Sequence, residues 1–192
     1  MPAVEDKKRY GDGREALLAA AVDVVYKHGL AGMTYRKVAE EAGVANTLIT
    51  HHFGTREAFL EAAMEWATEQ TLALTDMAAE AAYGKQFAVE FVRQVAAEPQ
   101  LQFFQYEMVL WARHQPQMRA TVERLYGHYM QVISLGFERR GFARPDLLAR
   151  LYFAATDGLV MQQLTFAARK DVEEAFLLLG QMLENMPSQS FR

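Results

Sequence analysis

The chain contains no cysteine, which removes a disulfide framework and a thiolate metal site together, since both need side chains that are not there. A reducing, cytoplasmic setting is the expectation. No apolar run approaches the length of a membrane span, and the opening MPAVEDKKRYGDGRE mixes both charge signs without the apolar core of a signal peptide. No membrane partner is expected. Strong basicity is missing as well: 20 Lys and Arg against 24 Asp and Glu leave a formal charge of −4, unlike the footprint of a non-specific nucleic-acid binder. Nor is there a nucleophile elbow, a Gly-rich phosphate loop, an HExxH pair, or two carboxylates at a spacing that demands acid–base work. No catalytic residue, metal or cofactor is therefore assigned, and the chain reads as a non-enzyme.

What is present is apolar bulk in a helical rhythm. Of 192 residues, 51% are hydrophobic, enough for one or two compact units without covalent staples. Charge is unevenly spread. Up to Leu60 the chain carries eight basic and eight acidic residues, so the whole net charge lies beyond it, and the first part is the one less repellent to an acidic partner.

Apolar residues recur at three- and four-residue steps almost everywhere, and no sustained alternation argues for strands. The fold class is all-α, with about nine helices. Leu17, Leu18, Ala21, Val24 and Val25 mark a first helix ending at His28-Gly29, where Gly supplies a left-handed cap. Thr34 is the N-cap of a second, short helix that stops at Gly43. A third, also short, spans Asn46–Phe53, and Thr55 caps a long fourth helix reaching about Ala82. Further helices are expected over Gln86–Ala97, Gln100–His114, Gln117–Arg140, Pro145–Ala168 and Val172–Met186, the last two separated by the turn Arg169-Lys170-Asp171. Residues 1–11 and Pro187–Arg192 read as disordered.

Short helix, tight turn, short helix is helix-turn-helix spacing, and the third helix has the right two faces for it. At about 100° per residue, Asn46, Thr47, Thr50 and His51 share one side, while Ala45, Ile49 and Phe53 share the other. Asn pairs bidentately with adenine, Thr bonds either way or meets a thymine methyl, and His reaches phosphate or guanine. Arg36 and Arg56 flank this face. The adjacent His51 and His52 point about 100° apart and do not make a metal site.

The segment TYRKVAEEAGVANTLITHHFGTREAFLEAAM, with the preceding ALLAAAVDVVYKHGL, resembles the DNA-binding region of the TetR family of regulators. The resemblance is specific over roughly residues 14 to 65, and its third helix looks nearest to the subgroup of choline-responsive BetI repressors. Two departures stand out: Ala45 where a Ser cap is usual, leaving the cap to Asn46 or to nothing, and Thr50 where Tyr is frequent. The resemblance implies a helix-turn-helix domain over 12–54 and a ligand-binding and dimerisation domain over 55–186. It implies DNA contacts from Thr34, Arg36, Asn46, Thr47, Thr50, His51, His52 and Arg56. It also implies a homodimer on a palindromic operator, and repression relieved by a small-molecule effector, with activation as the alternative logic.

The last two helices of that family form the dimer interface, which here points to Leu147, Leu151, Ala154, Ala155, Gly158, Met161, Phe176, Leu179 and Leu183. A mid-helix Gly such as Gly158 costs about 1 kcal/mol against Ala, and close approach of a partner helix would offset it. The middle helices are rich in Phe103, Phe104, Trp111, Tyr126, Tyr129, Met130 and Phe153. Such residues serve a core as readily as a ligand pocket, whose polar anchors come from Glu107, Arg113, His114, His128 or Asp157. A helical small-molecule carrier is the rival reading, and the helix-turn-helix argues against it.

Overall fold

The computed structural model describes residues 10–74 and 84–186. Within them the chain forms nine helices and no strand: α1 Tyr10–Gly32, α2 Tyr35–Ala42, α3 Thr47–Phe53, α4 Arg56–Leu74, α5 Lys85–Ala97, α6 Pro99–Ala112, α7 Pro116–Arg139, α8 Pro145–Thr165 and α9 Arg169–Glu184. The prolines at the first positions of α6, α7 and α8 suit helix starts, where the missing N–H has no intrahelical partner to lose. The expected reach of the fourth helix to Ala82 and the expected disorder of residues 187–192 lie outside the described residues, as does that of residues 1–9; Tyr10 and Gly11, expected to be disordered with them, instead begin α1. The turn expected at 169–171 is instead the first turn of α9; the chain reverses at 166–168, just ahead of it.

Gly29 breaks α1, with φ 68° and ψ 165°, a conformation open only to glycine, and one more helical turn follows. The break frees the Leu30 N–H from the helix ladder. That donor is taken by the Glu107 carboxylate of α6, at 3.0 Å from Oε2.

A core of α1, α2, α3, α4 and α6 is built on Leu17, Val25, Val38, Ile49, Phe59, Leu60, Met64 and Phe104, each fully buried or nearly so. Packing runs without a gap from α1 onto α4 and α6, across the boundary expected at residue 54. α7 and α8 pair along their lengths around Tyr129, Ile133, Phe137 and Tyr152, and α9 closes on α5 through Phe91, Val172 and Phe176. Two side-chain ties, Thr121 to Glu61 and Arg124 to Glu65, hold α7 against α4. No helix among the described residues is long and apolar enough to cross a membrane.

Candidate nucleic-acid interface and ligand cavity

α2 starts as its sequence dictates. Thr34 is extended, and its Oγ1 accepts the Lys37 N–H at 3.3 Å. Gly43 ends the helix at φ 65°, its N–H turned back to the carbonyls of Ala39 and Glu40. α3 follows after the turn 43–46. It buries Ile49 completely, half-buries Leu48 and Phe53, and exposes Asn46, Thr47, Thr50 and His51.

One expectation about this helix needs correction, and one left open is decided. Ala45 is exposed, because it sits in the turn ahead of α3 rather than in its inward row. Asn46 occupies the cap position in helical backbone, φ −55° and ψ −33°, and its side chain makes no capping bond, so the amide is left to face outward.

Of the flanking arginines, Arg36 is exposed and loosely paired with Glu40 at 3.7 Å. Arg56 differs. It is half-buried with its guanidinium 5.8 Å from the centre of the Trp111 ring, a cation–π contact that joins the first turn of α4 to the end of α6. His52 is half-buried between the rings of His51 and Phe53. Arg14 was missed in the sequence: its guanidinium lies 5.2 Å from the Phe53 ring, which brings an exposed cation of α1 to the far end of α3. Only the fold could show this, because 39 positions separate the two residues in sequence.

In the body, a cavity of about 30 Å³ lies where α4, α5, α6, α7 and α8 converge, roomy enough for water and little else. Tyr126, Tyr129, Phe153 and Asp157 of the expected pocket line it, joined by Thr71, Phe91, Gln102, Gln105, Thr156 and Val160. Gln105 Nε2 donates to Thr71 Oγ1 at 2.9 Å, and the Tyr129 hydroxyl donates to Gln105 Oε1 at 3.3 Å. Asp157, also in the wall, accepts the Tyr106 hydroxyl on Oδ1 at 2.8 Å. Burial raises the Asp157 carboxyl above its ordinary value, against the pull of the Tyr106 bond. Burial also pushes the Tyr129 phenol up to about 12, and lifts Tyr106 and Tyr126 further, with Asp157 adding to both.

The rest of the expected pocket is elsewhere. Phe103, Glu107 and Trp111 sit one turn apart on α6 and face the N-terminal helices: Phe103 meets the Tyr26 ring at 5.5 Å, Glu107 holds Leu30, and Trp111 meets Arg56. Phe104 is core, Met130 is half-buried away from the cavity walls, and Arg113, His114 and His128 are exposed. A larger crevice of about 700 Å³ opens between the first turns of α4 and the α6–α7 corner, walled by Glu57, Glu61, Trp111 and Met118. No group of three or more His, Asp or Glu side chains suited to a metal occurs among the described residues.

A family model described as bacterial regulatory proteins, tetR family, matches residues 17–63, which hold the helix-turn-helix. A second, described as Tetracyclin repressor-like, C-terminal domain, matches residues 85–184, more than half of the chain.

The chain belongs to the TetR family.

Solved structures agree on the fold. A transcriptional regulator from Rhodococcus sp. RHA1 is 21% identical with a TM-score of 0.74, over 88% of this chain and 94% of that one. A TetR transcription regulator from Haloarcula marismortui is 16% identical with a TM-score of 0.76, over 92% and 99%. The multidrug binding protein EbrR, solved with imidazole, is 24% identical with a TM-score of 0.68, over 93% and 97%. No curated protein matches the chain. These matches carry the family and not the BetI-like subgroup.

This TetR-family regulator also leaves an apolar face open on α8 and α9. Leu147, Leu151 and Met161 are exposed, at 43%, 67% and 46%, with Ala154 exposed and Ala155 and Gly158 half-buried along the same stripe. A Cβ placed on Gly158 would meet nothing within 4 Å in the protomer. On α9 the expected residues are turned inward: Phe176 and Leu183 are buried and Leu179 packs on the α7–α8 core, while Leu178 and Met182 are exposed. Apolar residues line both sides of α9, so its period alone did not fix which side faces outward.

Proposed function

We propose that this chain is a homodimeric transcriptional repressor that reads a palindromic operator through α3 and is released by a small effector bound in the α4–α8 cavity. The functional division lies near residue 54, with α1 to α3 as the reading head. The observation that carries the reading is α3 itself, a short helix fixed by buried Ile49 and presenting Asn46, Thr47, Thr50 and His51 together. Thr34, Arg36, His52 and Arg56 border this face, Arg14 stands at its end, and the exposed cations serve phosphate rather than bases.

Release works by unequal affinity of the effector for two arrangements of the heads. α4 reaches from the end of α3 to Thr71 in the cavity wall, about 22 Å at ~1.5 Å per residue. The multidrug binding of EbrR is in keeping with an effector site in the body. The dimer forms through the open stripe of α8 and through Leu178 and Met182 of α9. Fluorescence anisotropy with duplex DNA from beside its own gene tests the reading. Salt-dependent binding that is at least about tenfold tighter than to scrambled DNA supports it, and equal binding to both overturns it.

A further inference from the structure

The cavity that the preceding reading takes as the effector site carries a chemical preference. We propose that it selects an organic cation, an amidinium or ammonium head seated against the Asp157 carboxylate with its flanks covered by Tyr126, Phe153 and Phe91.

Asp157 stands in the middle of α8, and among the described residues its carboxylate has one hydrogen-bond partner, the neutral Tyr106 hydroxyl on Oδ1, which also touches the Asp157 carbonyl at 3.0 Å. Among the described residues no Lys or Arg lines the cavity, and none compensates the carboxylate. The sequence of residues 75–83 contains no Lys or Arg either. The neutral groups opposite are occupied with one another: Thr71, Gln105 and Tyr129 form a chain of hydrogen bonds that has no charge to offer.

The remaining wall is aromatic. Tyr126 and Phe153 meet edge to face at 5.4 Å, and Tyr129 stacks on Phe153 at 5.7 Å. Ring faces attract cations, most strongly where water is excluded. Three ligand types therefore fare differently. An anion is repelled by Asp157, and a neutral molecule gains from the rings while leaving the carboxylate desolvated and uncompensated. A cation satisfies both walls.

In its present state the cavity, about 30 Å³, admits no such molecule. Entry must displace the half-buried rings of Tyr126 and Phe153, and the expansion bears on Thr71 of α4 and on Gln105 and Tyr106 of α6. The next residue of α6 is Glu107, which holds α1.

Calorimetric titration of the full-length protein with benzamidinium, benzamide and benzoate, near-isosteric probes of charge +1, 0 and −1, tests the assignment. Benzamidinium is expected to bind roughly tenfold or more tightly than benzamide, with benzoate weakest. Asp157→Asn should erase the preference, and Phe153→Trp, which fills the cavity, should block all three. Circular dichroism verifies that the variants fold, and the wild-type comparison decides even where one does not. Equal binding of benzamide and benzamidinium, or a preference that survives Asp157→Asn, overturns the cation assignment. If Phe153→Trp still blocks binding in that case, the cavity remains an effector site for uncharged ligands. If none of the probes binds, or Phe153→Trp leaves their binding unchanged, the cation assignment and the effector site both fail.

Discussion

Asp157 sits where burial disfavours its charged form. Burial raises its carboxyl above 3.8, so the folded chain holds that proton more tightly than the unfolded chain does. Its contribution to stability is therefore most favourable below the ordinary value and is lost as pH rises through the raised folded value. Asp157→Asn should remove this dependence. Thermal unfolding of both proteins from about pH 3.5 to 7 should show the variant gaining on the wild type as pH rises, and parallel profiles would contradict the burial argument. At the other end of the molecule, Asn46 and Thr50 should govern choice among sequences, at about 1–3 kcal/mol for a good bidentate pair. Asn46→Ala should thus narrow the gap between operator and scrambled duplex, whereas Arg14→Ala should weaken both alike and flatten the salt dependence by roughly one counterion. Equal losses on both duplexes for Asn46→Ala would remove it from base reading.

Among the elements, α6 does the most joining. One side of it supplies Gln102 and Gln105 to the cavity, while Phe103, Glu107 and Trp111 reach the N-terminal helices. Glu107→Ala leaves the Leu30 N–H without its partner at the α1 break, which should cost about 1–3 kcal/mol and lower the midpoint of denaturant unfolding. An unchanged midpoint would mean that water replaces the carboxylate there. This double role also explains what the sequence let one read. The helices, the Thr34 and Gly43 caps of α2 and the exposed row of α3 were legible because they depend on local spacing, whereas Ala45, expected in the inward row, lies in the turn ahead of the helix. The wall residues of the cavity were only half legible. Phe103, Glu107 and Trp111 belong to an apolar, aromatic run that looks the same whichever neighbour it meets, and only packing turns them toward α1 and α4. The same ambiguity hides which side of α9 is covered within the protomer: Phe176 and Leu183 are buried, while Leu178 and Met182 are exposed.

At the level of the whole molecule, the proposed dimer places the exposed apolar stripe of α8 against a second copy, one of the uses such patches have. Leu151→Glu places a charge in its centre, and analytical ultracentrifugation should show the dimer shifted to monomer while far-UV circular dichroism stays that of the wild type. A dimer of undiminished affinity would move the interface elsewhere. Gly158→Ala separates the two settings of that helix: in a protomer alone it is accommodated without a clash and favours the helix by about 1 kcal/mol, whereas in a close helix pair it weakens association. Two heads held by one dimer must read two half-sites, which lie about one helical turn, ~34 Å, apart when they face the same side of the duplex. The most direct measurement is selection of bound duplexes from a random library by the full-length protein, repeated with Asn46→Ala. The account predicts an enriched palindrome from the wild type and loss or change of its inner positions with the variant. Enrichment of an asymmetric sequence, of none, or of the same palindrome with both proteins would contradict it.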